Sequence, residues 1–177
     1  MMKRTFSIAL ATLVVGLIVQ PAAGQSVQEK NKALLKQGYE YLNGANWEKM
    51  NDLVAPNFVD HNPSPGQKPG FEGVKANFQM MRQAFPDFHM TIHEMLADGD
   101  WVCARVTVTG THKGDFMGMK ASEKKFTVQG FDLIRFEKGK AVERYGTFDD
   151  AAMMMQLGMM PPPGHGGDMK KIDEMKK

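Results

Sequence analysis

The stretch "FTVQGFDLIRFEKGKAVERYGTF" (126–148) decides how the rest of the chain is read. Apolar residues alternate with polar ones on both sides of "EKG" (137–139), so the spacing predicts two antiparallel strands. A three-residue loop with Gly139 in the left-handed position would pair Phe136 with Lys140. One face then collects Phe126, Val128, Gly130, Asp132, Ile134 and Phe136 with Val142, Arg144, Gly146 and Phe148. A two-residue Lys138–Gly139 turn would slip the register by one and mix charged with apolar residues on both faces. The chosen register makes Asp132 and Arg144 neighbours on an otherwise apolar surface. Ionised groups there cost about several kcal/mol each unless paired. They are either a structural ion pair or the lining of a cavity used for binding or chemistry.

Working towards the N-terminus, strands are expected at about 88–97 and 101–112, joined by "DGD" (98–100). Pairing Ala97 with Trp101 puts Phe88, Met90, Ile92, Glu94 and Leu96 on one face with Val102, Ala104, Val106, Val108 and Gly110. Glu94 is thus a second acid among apolar residues. Before these strands the period changes from 2 to 3.6. Helices are expected over 27–42, ended by Gly44; over a short run capped by Asn46 and stopped by Pro56; and over about 71–84, closed by Pro86. "FVDH" (58–61) reads as a brief strand. Asp149 and Asp150 are placed to cap a last helix that begins near Ala151. Helices first and a meander afterwards means an α+β domain, with the sheet curling around the N-terminal helices.

The ends read differently. Lys3 and Arg4 precede an apolar run, "FSIALATLVVGLIV" (6–19), and then Pro21 and small residues. Residues 1–24 are expected to be a signal peptide cut after Gly24, residues 25–161 the domain, and 162–177 a charged, flexible tail. The run is short for a span, which needs about 20 apolar residues. The expectation is export to the periplasm or beyond, with no stable membrane insertion after cleavage. Loss of Lys3 and Arg4 takes the formal charge from +2 to 0, with 20 basic residues against 20 acidic ones. No nucleic-acid partner is expected of a neutral chain. One cysteine, Cys103, allows no internal disulfide.

The segments "FVDHNP" (58–63), "GFEGVKANFQMMRQAFPD" (70–87), "TVTGTHKGDFMGM" (107–119), "GFDLIRFEKGKAVERYGTFDD" (130–150) and "MMMQLGMMP" (153–161) together resemble the SnoaL-like polyketide cyclases, or ester cyclases. These belong to the nuclear-transport-factor-2-like superfamily. The resemblance implies a cone-shaped α+β barrel, a curved antiparallel sheet wrapped around helices. It implies cofactor-independent ring closure by an aldol step on a small hydrophobic carbonyl compound, no metal, and a homodimer. It also implies a catalytic aspartate in a segment that commonly reads Glu-His-Trp-Asp. That segment here is Glu143-Arg144-Tyr145-Gly146, so the acid's place is held by glycine.

On this reading His61 and Asp132 are the candidate acid/base residues, and Arg144 is the holder of an anionic oxygen. Glu94, His112 and Phe148 complete the candidate substrate-binding set, with His112 at the pocket mouth. Each has a plainer reading: a turn histidine, an Asp132–Arg144 pair, an edge glutamate, a surface histidine. His89 and His93 share a strand face but have no evident third ligand, so no metal is expected there. The methionines at 153–155, 159 and 160 read as core or dimer packing rather than a copper site. With Gly146 in the acid's place, the alternative function is a non-catalytic binder of small molecules on the same scaffold.

Overall fold

Helix α1 (Val27–Asn43) forms where the sequence stacks Leu35, Tyr39 and Leu42 on one stripe, and all three are buried. The Ser26 hydroxyl accepts from the Glu29 N–H at 3.2 Å to open the helix, and Gly44 closes it. The structure, a computed structural model, describes residues 26–161. The leader and tail expected from the sequence lie outside the described residues. Among those described, no helix is long and apolar enough to cross a membrane.

Asn46 caps α2 (Trp47–Leu53), which runs directly into β1 (Val54–Asp60). Pro56 therefore does not end a helix. It sits in an edge strand, where its missing N–H need not cost a ladder bond. Helix α3 (Gly70–Ala84) follows, then β2 (His89–Asp98), β3 (Trp101–Thr111), β4 (Lys125–Glu137), β5 (Lys140–Phe148) and α4 (Asp150–Leu157). The five strands form one curved sheet in the order β1-β5-β4-β3-β2. Four of them are antiparallel neighbours. These are the strands of the expected meander, and β1, to which the sequence assigned no direction, lies parallel to β5 at the edge. No hairpin joins these two strands, so no turn fixes their relative direction.

α1 lies against β2 and β3, and α3 against β1. The main core is built from the inner side chains Val102, Ala104, Val106, Val108, Phe126, Val128, Ile134 and Phe136. A smaller cluster of Met50, Val54, Phe58 and Val74 sits between α2, β1 and α3. Side chains from the helices protect the free ladder edges. The Asn43 amide donates to the Met90 carbonyl at 2.8 Å and accepts from its N–H at 2.9 Å on edge strand β2. Beyond the end of β5, Gln156 of α4 makes the same two-way contact with the Thr127 backbone. Arg82 of α3 donates to the Leu42 and Asn43 carbonyls at the C-terminus of α1, where Leu42 O also accepts from the Ala45 N–H at 3.1 Å.

Both hairpins depart from the expected loops. Asp98 pairs with Trp101 and Glu137 with Lys140, so each turn has two central residues. Lys138 and Gly139 carry φ of 50° and 78°, as a tight right-twisted hairpin requires. A bulge then restores the parity of each strand, at His93 in β2 and Val142 in β5. The inner faces of β3, β4 and the second half of β5 thus hold the residues expected there. Cross-strand partners in β4–β5 slide by two, so that Asp132 faces Gly146 and Ile134 faces Arg144. In β2 the residues beyond the bulge change sides: Met95 and Ala97 pack on the core, while Leu96 is 75% exposed.

Candidate active site

Asp132 is 5% exposed and stands on the inner face of β4 among apolar neighbours. Arg144, on the inner face of β5, donates from Nε to Asp132 Oδ1 at 2.8 Å. Its Nη1 reaches both oxygens of Asp60 at 3.2 and 3.3 Å. The Tyr39 hydroxyl of α1 donates to Asp132 Oδ2. Asp60 is completed by Gln67 Nε2 at 2.8 Å and the Asn62 N–H at 3.2 Å. Two carboxylates, one guanidinium and one phenol therefore share a buried network with no carboxylate left unpaired. That pairing offsets desolvation costs of about several kcal/mol per ion.

Electrostatics follow from this arrangement. Burial, the Asp132 charge and the hydrogen bond to it push the Tyr39 phenol well above its ordinary value, so it holds its proton. Burial pulls the Arg144 guanidinium down, but Asp132 and Asp60 together carry it above its usual value.

Tyr39, Asp132 and Arg144 of this network form one polar wall of a cavity of about 90 Å³. Leu35, Met50, Phe58, Val74, Phe78 and Met90 supply much of the apolar remainder. A larger open groove of about 780 Å³ runs between α1 and the turns at Asp100 and Lys138–Gly139. None of the four network groups lies in it, so the smaller cavity is where the chemistry-bearing groups meet.

Gly146 explains how the arginine fits. A Cβ on that residue would lie 2.0 Å from Arg144 Nη2, 2.4 Å from Cζ and 2.5 Å from Asp132 Oδ1. The guanidinium occupies the space that a side chain at 146 would need. Phe148, two residues on, lies 5.8 Å from Cζ with its ring under the cation.

Phe148 packs on the guanidinium without lining the cavity, and three other expected residues fall elsewhere. His61 does not line the cavity. By the period of two in β1, Phe58 and Asp60 point inward and His61 outward. Its ring stacks on Tyr145 at 4.1 Å, and Nε2 meets Glu143 Oε2 at 2.8 Å on the outer face. Arg135 also donates to Glu143, and these two partners hold the Glu143 carboxyl below its ordinary value. Glu94 is corrected as well. The bulge at His93 turns it outward to Arg105, 3.2 Å away, and its side chain is 70% exposed. His112 guards no mouth: it is fully buried. Its Nδ1 lies 3.0 Å from Ser122 Oγ, and the Phe85 and Phe116 rings flank it. It is eight residues along β3 from Ala104, the partner of Asp132, which is about 26 Å at the usual strand rise.

Asp60 and Tyr39 were not singled out from the sequence, although both left a signal. Counting inward from Phe58 by two selects Asp60 rather than His61. Tyr39 puts a hydroxyl on the apolar stripe of α1, where it needs a buried partner. Among the described residues, no cluster of three or more His, Cys, Asp or Glu has the geometry of a metal site.

The pattern of the SnoaL-like polyketide cyclases matches residues 32–157. The aklanonic acid methyl ester cyclase DnrD of Streptomyces peucetius is 30% identical over 116 residues, covering 65% of this chain and 78% of that protein. The corresponding cyclase DauD of Streptomyces sp. strain C5 is 27% identical over 118 residues, covering 66% and 71%. Among solved structures, wild-type IdmH of Streptomyces antibioticus superposes with a TM-score of 0.66 at 29% identity, over 72% of this chain and 98% of that one. The family pattern spans nearly the whole described domain, and the sheet and helices are those of its relatives. This chain belongs to the SnoaL-like polyketide cyclase family.

Proposed function

We propose that the protein carries out cofactor-independent acid/base chemistry on a small hydrophobic carbonyl compound, with Asp132 as the base. One observation carries this reading: a buried carboxylate, held by a guanidinium and a phenol, opens into an otherwise apolar cavity. Asp132 would take the proton from the carbon next to a carbonyl. The C–H electron pair becomes the enolate double bond, and the negative charge moves to oxygen. Arg144 Nη2 is the nearby donor for that oxygen, while the Tyr39 hydroxyl donates to Asp132 Oδ2 and orients the base. Attack of the enolate carbon on a second carbonyl forms the C–C bond, and the resulting alkoxide recovers the proton from Asp132. His61, Glu94 and His112 have no part in this scheme, because they lie outside the cavity.

Exchange of α-protons for deuterium in cyclopentanone or acetylacetone, followed by NMR, tests it. Asp132→Asn is expected to lower the exchange rate roughly a hundredfold or more, the usual scale of a general base. Tyr39→Phe should lower it less, and His61→Ala should leave it unchanged. An Asp132→Asn protein that is folded and exchanges at the wild-type rate would remove Asp132 from the chemistry.

A second reading rests on a specific observation. Arg144 is already engaged by two carboxylates, and residue 146 offers no acid. On that reading the cavity only binds its ligand. Wild-type protein without exchange activity, but with a small molecule retained through native mass spectrometry, would favour it. Export and pairing of two copies are inferred from residues 1–24 and from the family resemblance. A chain beginning at Gln25 in a periplasmic fraction checks the first, and light scattering at twice the monomer mass checks the second.

A further inference from the structure

We propose that Arg144 and Gly146 act together as a size filter, admitting compact carbonyl compounds and excluding fused-ring ones. The inference rests on the reading that the cavity is the ligand site, but not on turnover there. A cavity of about 90 Å³ holds roughly six to nine waters, at about 10–15 Å³ of such space for each, which suits a compact ketone. That volume is far below the ~300 Å³ at which pockets for drug-sized ligands begin. The apolar walls belong to the folded core, so the wall most easily changed is the charged one.

Arg144 is a cavity-lining residue, yet its side chain keeps 16% of its exposure. One side chain thus reaches both the cavity and the surface. It lies there because residue 146 has no Cβ to displace it; the two groups exclude one another at 2.0 Å. Three further contacts hold it in place. Nε is tied to Asp132 on β4, Nη1 to Asp60 on β1, and the Phe148 ring lies beneath. A long, flexible side chain is thus fixed across three strands. Both sequence departures at this segment serve that end: arginine supplies the bulk and glycine supplies the room.

Calorimetric titration of the wild-type chain with cyclopentanone and then 1-tetralone reads the filter. The wild type is expected to bind 1-tetralone at least roughly tenfold more weakly than cyclopentanone. Arg144→Ala should remove that difference, whereas Arg144→Met, which keeps the bulk without the charge, should retain it. Should Arg144→Ala fail to fold with two carboxylates stranded, Arg144→Ala/Asp60→Asn removes one stranded charge and reads the same ratio. Equal binding of both ketones by the wild type overturns the proposal, as does an Arg144→Ala protein, or its double variant, with the wild-type preference. Loss of the preference in Arg144→Met would make the effect one of charge and would equally overturn it. None of these outcomes depends on catalysis, so a protein that binds and filters but does not exchange α-protons would sink only the enzymatic reading.

Discussion

Tyr39 shows how one side chain links the helix layer to the sheet. Its ring belongs to the apolar stripe of α1, and its hydroxyl ends on Asp132. Because burial and Asp132 raise its pKa, the folded state keeps the phenol proton when the unfolded chain has lost it. The contribution to stability is thus fully present below the ordinary value of 10.0 and is lost as pH rises above it towards the raised folded value. In an alkaline titration followed by phenolate absorbance, one tyrosine is expected to ionise only together with unfolding. Tyr39→Phe should remove that phase. A wild-type chain in which all three tyrosines ionise while the fold is intact would contradict the buried bond. At this scale much of the site was legible: Asp132 and Arg144 were brought to one face by alternation alone. Family likeness selects His61, whereas the period of two in β1 turns Asp60 inward and His61 outward.

The strands and helices were legible because their periods are long and their caps ordinary. Asn46, Asp149, Gly44 and the apolar stripes fixed nearly every boundary within a few residues. What the sequence did not disclose were the bulges at His93 and Val142. A bulge adds one residue without a distinctive residue type, so alternation alone cannot locate it. Each bulge offset a turn one residue shorter than expected. The face of Arg144 therefore came out right while its cross-strand partner did not, and Glu94 came out on the wrong side. Edge protection also belongs to this scale. Asn43→Ala removes two hydrogen bonds to Met90 on the free edge of β2. At about 1 kcal/mol net for each, urea unfolding should show a loss of about 2 kcal/mol with an unchanged denaturant slope. A loss under a few tenths would mean that water replaces the clamp at no cost.

At the scale of the molecule, the sheet presents two chemically distinct surfaces. The outer one carries paired charges and the His61–Tyr145 stack. The inner one, closed by α1, α2 and α3, encloses Asp132, Arg144, Asp60 and Tyr39 beside a small apolar hollow. The proposed chemistry and the proposed size filter share one premise, that small carbonyl compounds occupy this hollow. Methionines mark the possible sites: Met50 and Met90 line the cavity, whereas Met80, Met117 and Met160 are exposed elsewhere. The most direct measurement is an NMR titration of isotope-labelled methionine methyls with cyclopentanone. The account predicts saturable shifts at Met50 and Met90, with Met80, Met117 and Met160 unmoved. Shifts confined to the exposed methionines, or none at Met50 and Met90 at saturating ketone, would contradict it.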